Sequence, residues 1–198
     1  KTYTTQLLAI AMLSAAWSES DAQFAVIERL GEWGTAVLAQ DEIIGQMAQR
    51  YRYMAQCVVL GRGYNYATAY EWSLKLKELT YVVAEPYSSA DFRHGPIAIV
   101  DRGFPVMAIA PAGAVLPDLH KLLQKLSTEK QAELLIISND EATLALANSP
   151  ISLPADLPEW VSPLIGILPA QLFAYHLTRA KGYDTEAPRG LNKVTRTQ

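Results

Sequence analysis

The sequence predicts an α/β fold: a three-layer αβα arrangement around a mostly parallel, doubly wound sheet of about five strands. From residue 56 onward, short β-branched runs alternate with longer helical segments, as in a parallel sheet with both faces covered. Before residue 56 the pattern is helical only. We therefore expect one domain of 198 residues, with a helical arm at 1–55, a sheet core at 56–158, and a C-terminal helix and tail at 159–198.

Three helices are predicted in the arm. Residues 2–19 carry apolar side chains on nearly every turn and indicate a buried helix. Asp21 is suited to cap a second helix that ends near residue 39, and Asp41 a third that covers residues 42–55.

Strands and helices alternate through the sheet core. The predicted strands cover residues 57–61, 81–87, 105–111, 133–139 and 151–154, and the helices between and after them residues 64–79, 116–127 and 159–181. In such sheets, ligands bind beyond the carboxyl ends of the strands. Because the segment Glu71–Pro96 is rich in groups that can move protons, we expect it at that edge.

Composition excludes several function classes. Half of the residues are apolar, the net charge is −3, and no long basic run is present, so we expect no nucleic-acid partner. The apolar run at Leu7–Ala16 is too short to cross a bilayer, and we expect a cytoplasmic protein without a membrane partner. The single cysteine, Cys57, excludes an internal disulfide, and no histidine spacing indicates a metal site.

Two polar groups of residues follow the first predicted strand. The turn Gly61-Arg62-Gly63 can contact a sugar or a phosphate at the start of the next helix, or can simply close a tight turn. Tyr66 stands where a dinucleotide fingerprint needs glycine, which argues against a nicotinamide site. On the helix itself, Glu71, Lys75 and Glu78 share one face.

The charged face has two interpretations. A carboxylate beside an ammonium is a suitable base for a proton next to a carbonyl. The same spacing also fits an ordinary solvated face with a Glu71–Lys75 pair.

Two further groups complete the candidates. His94, in a His-Gly-Pro loop, is able to exchange protons near neutral pH, although a lone histidine can equally be structural. Lys193, in the basic tail, can form a Schiff base with a ketone if it is desolvated, or can belong to a frayed terminus.

These residues lie in segments that, taken in order, resemble the second sugar-isomerase (SIS) domain of the isomerase half of glucosamine-6-phosphate synthase and its relatives, including glucosamine-6-phosphate deaminases. The resemblance covers essentially the whole chain. Its segments are TTQLLAIAML, LGRG, LKLKEL, AE-x-Y, HGP, QLFAYH and PRGLNKVT.

The resemblance implies an aldose–ketose isomerase for a hexose 6-phosphate that needs no metal or redox cofactor. Glu78 matches the base that moves a proton between C1 and C2, and Lys75 a residue that positions the substrate. His94 matches a ring-opening group that enters the site of a partner subunit, which implies a homodimer with shared sites. Lys193 matches the Schiff-base lysine, and Glu71 is expected to tune this set.

The sequence departs from the synthase pattern in ways that leave the reaction open. No amidotransferase segment is present, and we expect a first SIS domain, with the phosphate loop, ahead of residue 1. Asn192, expected at the substrate, replaces an alanine of the synthase pattern, which favours a deaminase that releases ammonia. Two alternatives remain: a non-catalytic SIS domain that senses a sugar phosphate, and an SIS deglycase for a different sugar phosphate.

Overall fold

The computed structural model describes residues 2–190, and its centre is a five-stranded sheet. All neighbouring strands run parallel, in the order β2-β1-β3-β4-β5. This order is that of a doubly wound sheet. The chain adds β2 on one side of β1 and then β3, β4 and β5 on the other side. The strands are β1 (Gln56–Gly61), β2 (Val83–Ser88), β3 (Pro105–Ile109), β4 (Glu133–Ser138) and β5 (Ser149–Ser152).

Helices cover both faces of the sheet. They are α1 (Thr2–Trp17), α2 (Asp21–Glu28), α3 (Leu30–Leu38), α4 (Asp41–Arg50), α5 (Asn65–Lys75), α6 (Ser89–Phe92), α7 (Leu116–Thr128), α8 (Glu141–Leu144) and α9 (Ser162–Ala180). A π-helical turn at Leu76–Thr80 extends α5, and 3-10 turns lie at Pro96–Ile99 and Glu159–Val161.

Strand β1 shows how the sheet separates two cores. Cys57 and Val59 face a cluster shared with α4, α5 and α9. Val58 and Leu60 face the opposite cluster, shared with α6 and α7. Successive strand residues point to opposite faces, so two buried faces require a continuous apolar run. The predicted αβα fold is therefore confirmed.

The N-terminal helices form part of one helical layer. Helices α3 and α4 pack against α9. Polar contacts also join this layer to distant parts of the chain: Trp33 Nε1 donates to Asp156 Oδ1 at 3.0 Å, and His176 Nε2 lies 2.8 Å from Asp41 Oδ1. Residues 2–55 thus contribute to the first core, because Trp33 and Ile44 are buried in it.

Helix α1 is not the buried helix that its composition predicted. Its small residues Ala11 and Ala15 are buried, whereas Ile10, Leu13 and Trp17 are 63%, 60% and 84% exposed. Apolar side chains lie on all sides of this helix, but the rest of the described chain packs against only one side.

The second predicted helix is two helices, α2 and α3, divided at Arg29. Its cap is Ser20, whose side chain accepts from the backbone of Gln23, and not Asp21, which lies in the first turn. Asp41 likewise lies inside the first turn of α4, where it contacts His176. In both places an acidic residue near the helix start indicated the helix correctly but not the capping residue.

Helix α9 is the central helix of the first core. The segment Glu159–Ala180 has the length and apolar composition of a membrane span, yet 72% of its most apolar part is buried inside the domain. Such burial is typical of the core helix of a globular domain.

We predict that Gly61→Ala lowers the free energy of unfolding by about 1–3 kcal/mol, because overpacking a tight contact forces the backbone apart. A Cβ at Gly61 would lie 2.2 Å from the carbonyl oxygen of Asn65 at the start of α5. The matched control is Gly31→Ala in α3, where a Cβ meets nothing within 4 Å and should stabilise by about 0.5–1 kcal/mol. Urea denaturation measures both, and equal effects would contradict the packing argument.

Candidate active site

The end of α5 is fixed tightly against the sheet and α9. Trp72 and Leu76 are fully buried on its inner face. Ser73 Oγ donates to the backbone carbonyl of Ala84 in β2 at 2.6 Å. Trp72 also meets Phe173 of α9 edge to face, with ring centroids 6.0 Å apart. These contacts hold the outer side of the helix end in one position.

A π-helical turn follows directly and contains Glu78. Thr80 Oγ1 donates to the carbonyl oxygen of Leu76 at 2.6 Å, and Tyr81 ends the turn in the left-handed conformation, with φ of 57°. π-helical turns are rare and occur often at functional sites. Here the wider turn changes the direction in which the side chains after Lys75 point.

The three predicted charged residues form one contiguous row. Lys75 Nζ lies 2.7 Å from Glu78 Oε2 and 3.7 Å from Glu71 Oε1. The side chains of Glu71, Lys75 and Glu78 are 14%, 29% and 31% exposed. The row is thus half-buried, and one ammonium shared by two carboxylates leaves a net negative charge. The electrostatic attraction within this row is stronger than in a fully solvated ion pair, because water screens it less.

A cleft of about 360 Å³ adjoins this row. It lies where α1, α5 and α9 meet, so that one wall is charged and the others are mostly neutral. Its lining residues are Thr2, Tyr3, Glu71, Lys75, Leu79 and Gln171. Neither Tyr3 nor Gln171 was among the residues that the sequence assigned to the site. Gln171 lies in the QLFAYH segment, which was recognised only as part of a resemblance.

A buried chain of hydrogen bonds leads away from the cleft. Tyr3 Oη donates to Thr68 Oγ1 at 3.5 Å, and Thr68 donates to Asn65 Oδ1 at 3.1 Å. Asn65 Nδ2 in turn donates to Ser162 Oγ at 2.7 Å. Burial is the main cause that raises the pKa of the Tyr3 hydroxyl above its ordinary value, and Glu71 adds to the effect. Tyr3 is therefore a neutral hydroxyl on the wall of the cleft.

His94 does not share this cleft within one chain. Helix α5 and the π-turn run from the end of β1 back to the start of β2, which places Glu78 near the amino edge of the sheet. His94 lies in the exposed loop beyond the carboxyl end of β2. Six strand residues, about 17–20 Å, separate the two edges. The expectation that the whole segment Glu71–Pro96 lies at the carboxyl edge is therefore wrong, because a helix after a parallel strand returns to the opposite edge.

The turn Gly61-Arg62-Gly63 does lie at the carboxyl edge, and packing explains its residues. Gly61 allows α5 to approach β1 closely, and Gly63 has a positive φ of 56°. Arg62 Nη1 binds Asp118 Oδ2 at 2.8 Å, and Arg93 Nη1 binds Asp118 Oδ1 at 2.9 Å. This clasp, Arg62–Asp118–Arg93, ties the loops after β1 and β2 to α7 and restrains the residue next to His94.

The described part of the tail returns to the charged helix. The backbone N–H of Arg189 donates to Tyr81 Oη at 2.9 Å, and the Arg189 guanidinium lies 4.5 Å from the centre of the Tyr81 ring. Tyr81 directly follows the π-turn that carries Glu78. Lys193 and Asn192 lie outside the described residues.

The other histidines and the cysteine have structural contacts. His120 Nδ1 lies 2.8 Å from Thr143 Oγ1, and His176 pairs with Asp41 as described. Cys57 is 2% exposed in the first core. Within residues 2–190, no group of three or more His, Cys, Asp or Glu side chains is arranged to hold a metal ion.

The fold agrees with comparisons against known proteins. The sequence model of the SIS domain matches residues 54–180, from two residues before β1 to the end of α9. The chain belongs to the SIS domain family.

Similar proteins match nearly the whole chain. A glutamine–fructose-6-phosphate aminotransferase (isomerizing) of Legionella pneumophila strain Lens is 35% identical over 196 residues, which are 98% of this chain and 32% of the relative. The namesake protein of Pyrococcus horikoshii is 36% identical over 201 residues, covering 98% of this chain and 33% of the relative. The chain thus spans about a third of the length of these relatives.

A solved structure supports the same assignment. The C-terminal domain of glucosamine-fructose-6-phosphate aminotransferase from Francisella tularensis matches with a TM-score of 0.83 and 29% identity. The match covers 92% of this chain and 54% of that chain.

We predict that ionisation of Cys57 makes this SIS domain less stable at alkaline pH. Burial raises the pKa of the Cys57 thiol to about 12, whereas in an unfolded chain it is about 8.5. Between these values the unfolded chain loses a proton that the native chain keeps. Each pH unit above about 8.5 should therefore cost about 1.4 kcal/mol.

The measurement is the free energy of unfolding at pH 8 and pH 10, for the unchanged chain and for Cys57→Ala. The difference between the two chains should shift by about 2 kcal/mol over that interval. Parallel pH dependences would show that the thiol is accessible to water in the native state.

Proposed function

We propose that this SIS domain carries the isomerase chemistry of an amino-sugar-phosphate enzyme that interconverts glucosamine 6-phosphate and fructose 6-phosphate, with transfer or release of ammonia. One observation carries the proposal: Lys75, at the end of α5, pairs with Glu78 of the π-turn, and Lys75 and Glu71 of this half-buried row line a cleft. A solvated face needs neither the π-turn nor the cleft, and both favour the catalytic interpretation of the charged row.

The pair can move a proton between neighbouring carbons of an open-chain sugar. Lys75 occupies Oε2 of Glu78, while Oε1 has no hydrogen-bond partner among residues 2–190. In the ketose-to-aldose direction, Oε1 would take a proton from C1 as the C1–C2 double bond forms, and would return it to C2. The Lys75 ammonium keeps the carboxylate oriented and compensates part of its charge.

The position of Arg189 supports a role for Lys193. Three residues after Gly190, at about 3.3–3.6 Å each, span at most about 11 Å. Because Arg189 is anchored on Tyr81, next to the π-turn, that reach is compatible with an amine near Glu78. Lys193 would form a Schiff base with the keto carbon of the substrate, and Asn192 would lie beside it.

The separation between His94 and Glu78 supports a shared site. Since one chain holds the two groups at opposite edges of the sheet, the His94 loop would act in the cleft of a second copy. We therefore propose a homodimer in which each site combines Glu78 of one chain with His94 of its partner.

The names of the relatives favour this substrate class, while the length of the match leaves the source of ammonia open. The aligned relatives are named for an isomerizing reaction on fructose 6-phosphate, of which this chain matches about a third. A preceding SIS domain would supply the phosphate contacts in our proposal.

We predict that Glu78→Gln in the intact protein lowers turnover of glucosamine 6-phosphate about 100- to 10,000-fold, because a general base is lost while the side-chain volume is kept. Binding measured by calorimetry should change little. The control is Glu28→Gln, at the exposed end of α2, which should keep full activity. Undiminished turnover of Glu78→Gln would exclude this base, and binding without turnover by the unchanged protein would instead favour a sensor.

We predict that mixing two inactive variants restores activity if the site is shared. Glu78→Gln and His94→Asn chains are unfolded together in equal amounts and refolded. Half of the dimers then combine one chain of each kind, and one of their two sites contains both intact groups. The mixture should reach about a quarter of the unchanged activity, as two-fold symmetry requires. No recovery would place both groups in one chain's site, whereas full activity of the His94→Asn chain alone would show that His94 is dispensable.

A further inference from the structure

We propose that Gln171 is a specificity-determining residue that recognises a hydroxyl group of the sugar. This inference rests on the proposed function and names a contact which that function does not include. It concerns the neutral wall of the cleft, formed by Tyr3 and Gln171, which is uncharged, unlike the wall formed by Glu71 and Lys75 of the charged row.

Gln171 is held in place by its helix. Its neighbours Ala170, Phe173 and Ala174 are fully buried in the first core, so the backbone of α9 has little freedom at this point. The side chain is half-buried and lines the same cleft as Glu71 and Lys75. A polar group on a rigid element gives a better-defined contact than one on a loop.

The amide of Gln171 is unused within the described chain. It has no hydrogen-bond partner among residues 2–190. By contrast, Gln40 Nε2 donates to the backbone of Ser152 at 2.8 Å. A half-buried amide without a partner, at the wall of a cleft, has both its donor and its acceptor available for a ligand.

The Gln171 amide is better suited than the charged row to bind a sugar hydroxyl. A hydroxyl donates and accepts, as an amide does, whereas Lys75 only donates and Glu71 only accepts. Tyr3 extends the neutral wall, since its hydroxyl donates to Thr68 and keeps acceptor capacity on the cleft side. The charged row would act on the carbonyl end of the substrate, and the neutral wall would read a hydroxyl farther along the chain.

The test compares the unchanged intact protein with Gln171→Met, which keeps length and helix propensity but removes the amide. Substrates are glucosamine 6-phosphate and its 3-deoxy and 4-deoxy counterparts. We expect Gln171→Met to lose about tenfold in kcat/KM on glucosamine 6-phosphate. On the deoxy sugar that lacks the recognised hydroxyl, the two proteins should be equal, because no partner remains for the amide.

The control variant is Gln124→Met on the exposed side of α7, which should match the unchanged protein on all three sugars. Equal losses by Gln171→Met on all three sugars would indicate a structural role and overturn the inference. Unchanged turnover of glucosamine 6-phosphate by Gln171→Met would overturn it as well.

Failure of the proposed function has a different signature. In that case the unchanged protein turns over none of these sugars, and the same comparison is made on calorimetric affinities for the three phosphates. A tenfold weakening confined to the sugars that retain the recognised hydroxyl supports the contact. Equal affinities of both proteins, or no binding by the unchanged protein, overturn it.

Discussion

The packing of α5 is the constraint on which the rest of the site depends. Its start presses against β1 at Gly61, and its end is held by the Ser73 bond to β2 and by Trp72 against Phe173 of α9. With one side fixed so firmly, the outer side has little freedom. The cleft follows from that placement, because Glu71 and Lys75 of α5 share it with Gln171 of α9.

Much of the fold could be predicted from the sequence because burial on both sides of a parallel sheet leaves a clear signal. A short continuous apolar run such as Cys57–Gly61, which ends in glycine and is followed by a helical segment, predicts a buried parallel strand and fits few other structures. Helix α1 shows the limit of the same signal. The sequence of an apolar helix does not show whether the rest of the chain buries it. In α1, Trp17 is exposed.

The site was predictable in part. The spacing of Glu71, Lys75 and Glu78 correctly placed them together, since residues three and four apart meet on a helix. The π-turn was not predictable, because LKELT is an ordinary helical sequence and the extra width depends on tertiary contacts. Nor could spacing reveal that Gln171, almost one hundred residues away from the row, lines the same cleft, because that proximity arises only from the packing of α9 on α5.

The π-turn makes the orientation of Glu78 sensitive to chain length. A π-turn is in effect a regular helix with one residue inserted, and each residue of an α-helix advances by about 100°. Deletion of one residue between Leu76 and Thr80 would let the segment return to a regular α-helix. The Glu78 carboxylate would then point in a different direction. Homologues that lack that one position would keep the architecture but direct the carboxylate elsewhere, so a one-residue alignment gap there would mark members whose carboxylate has moved.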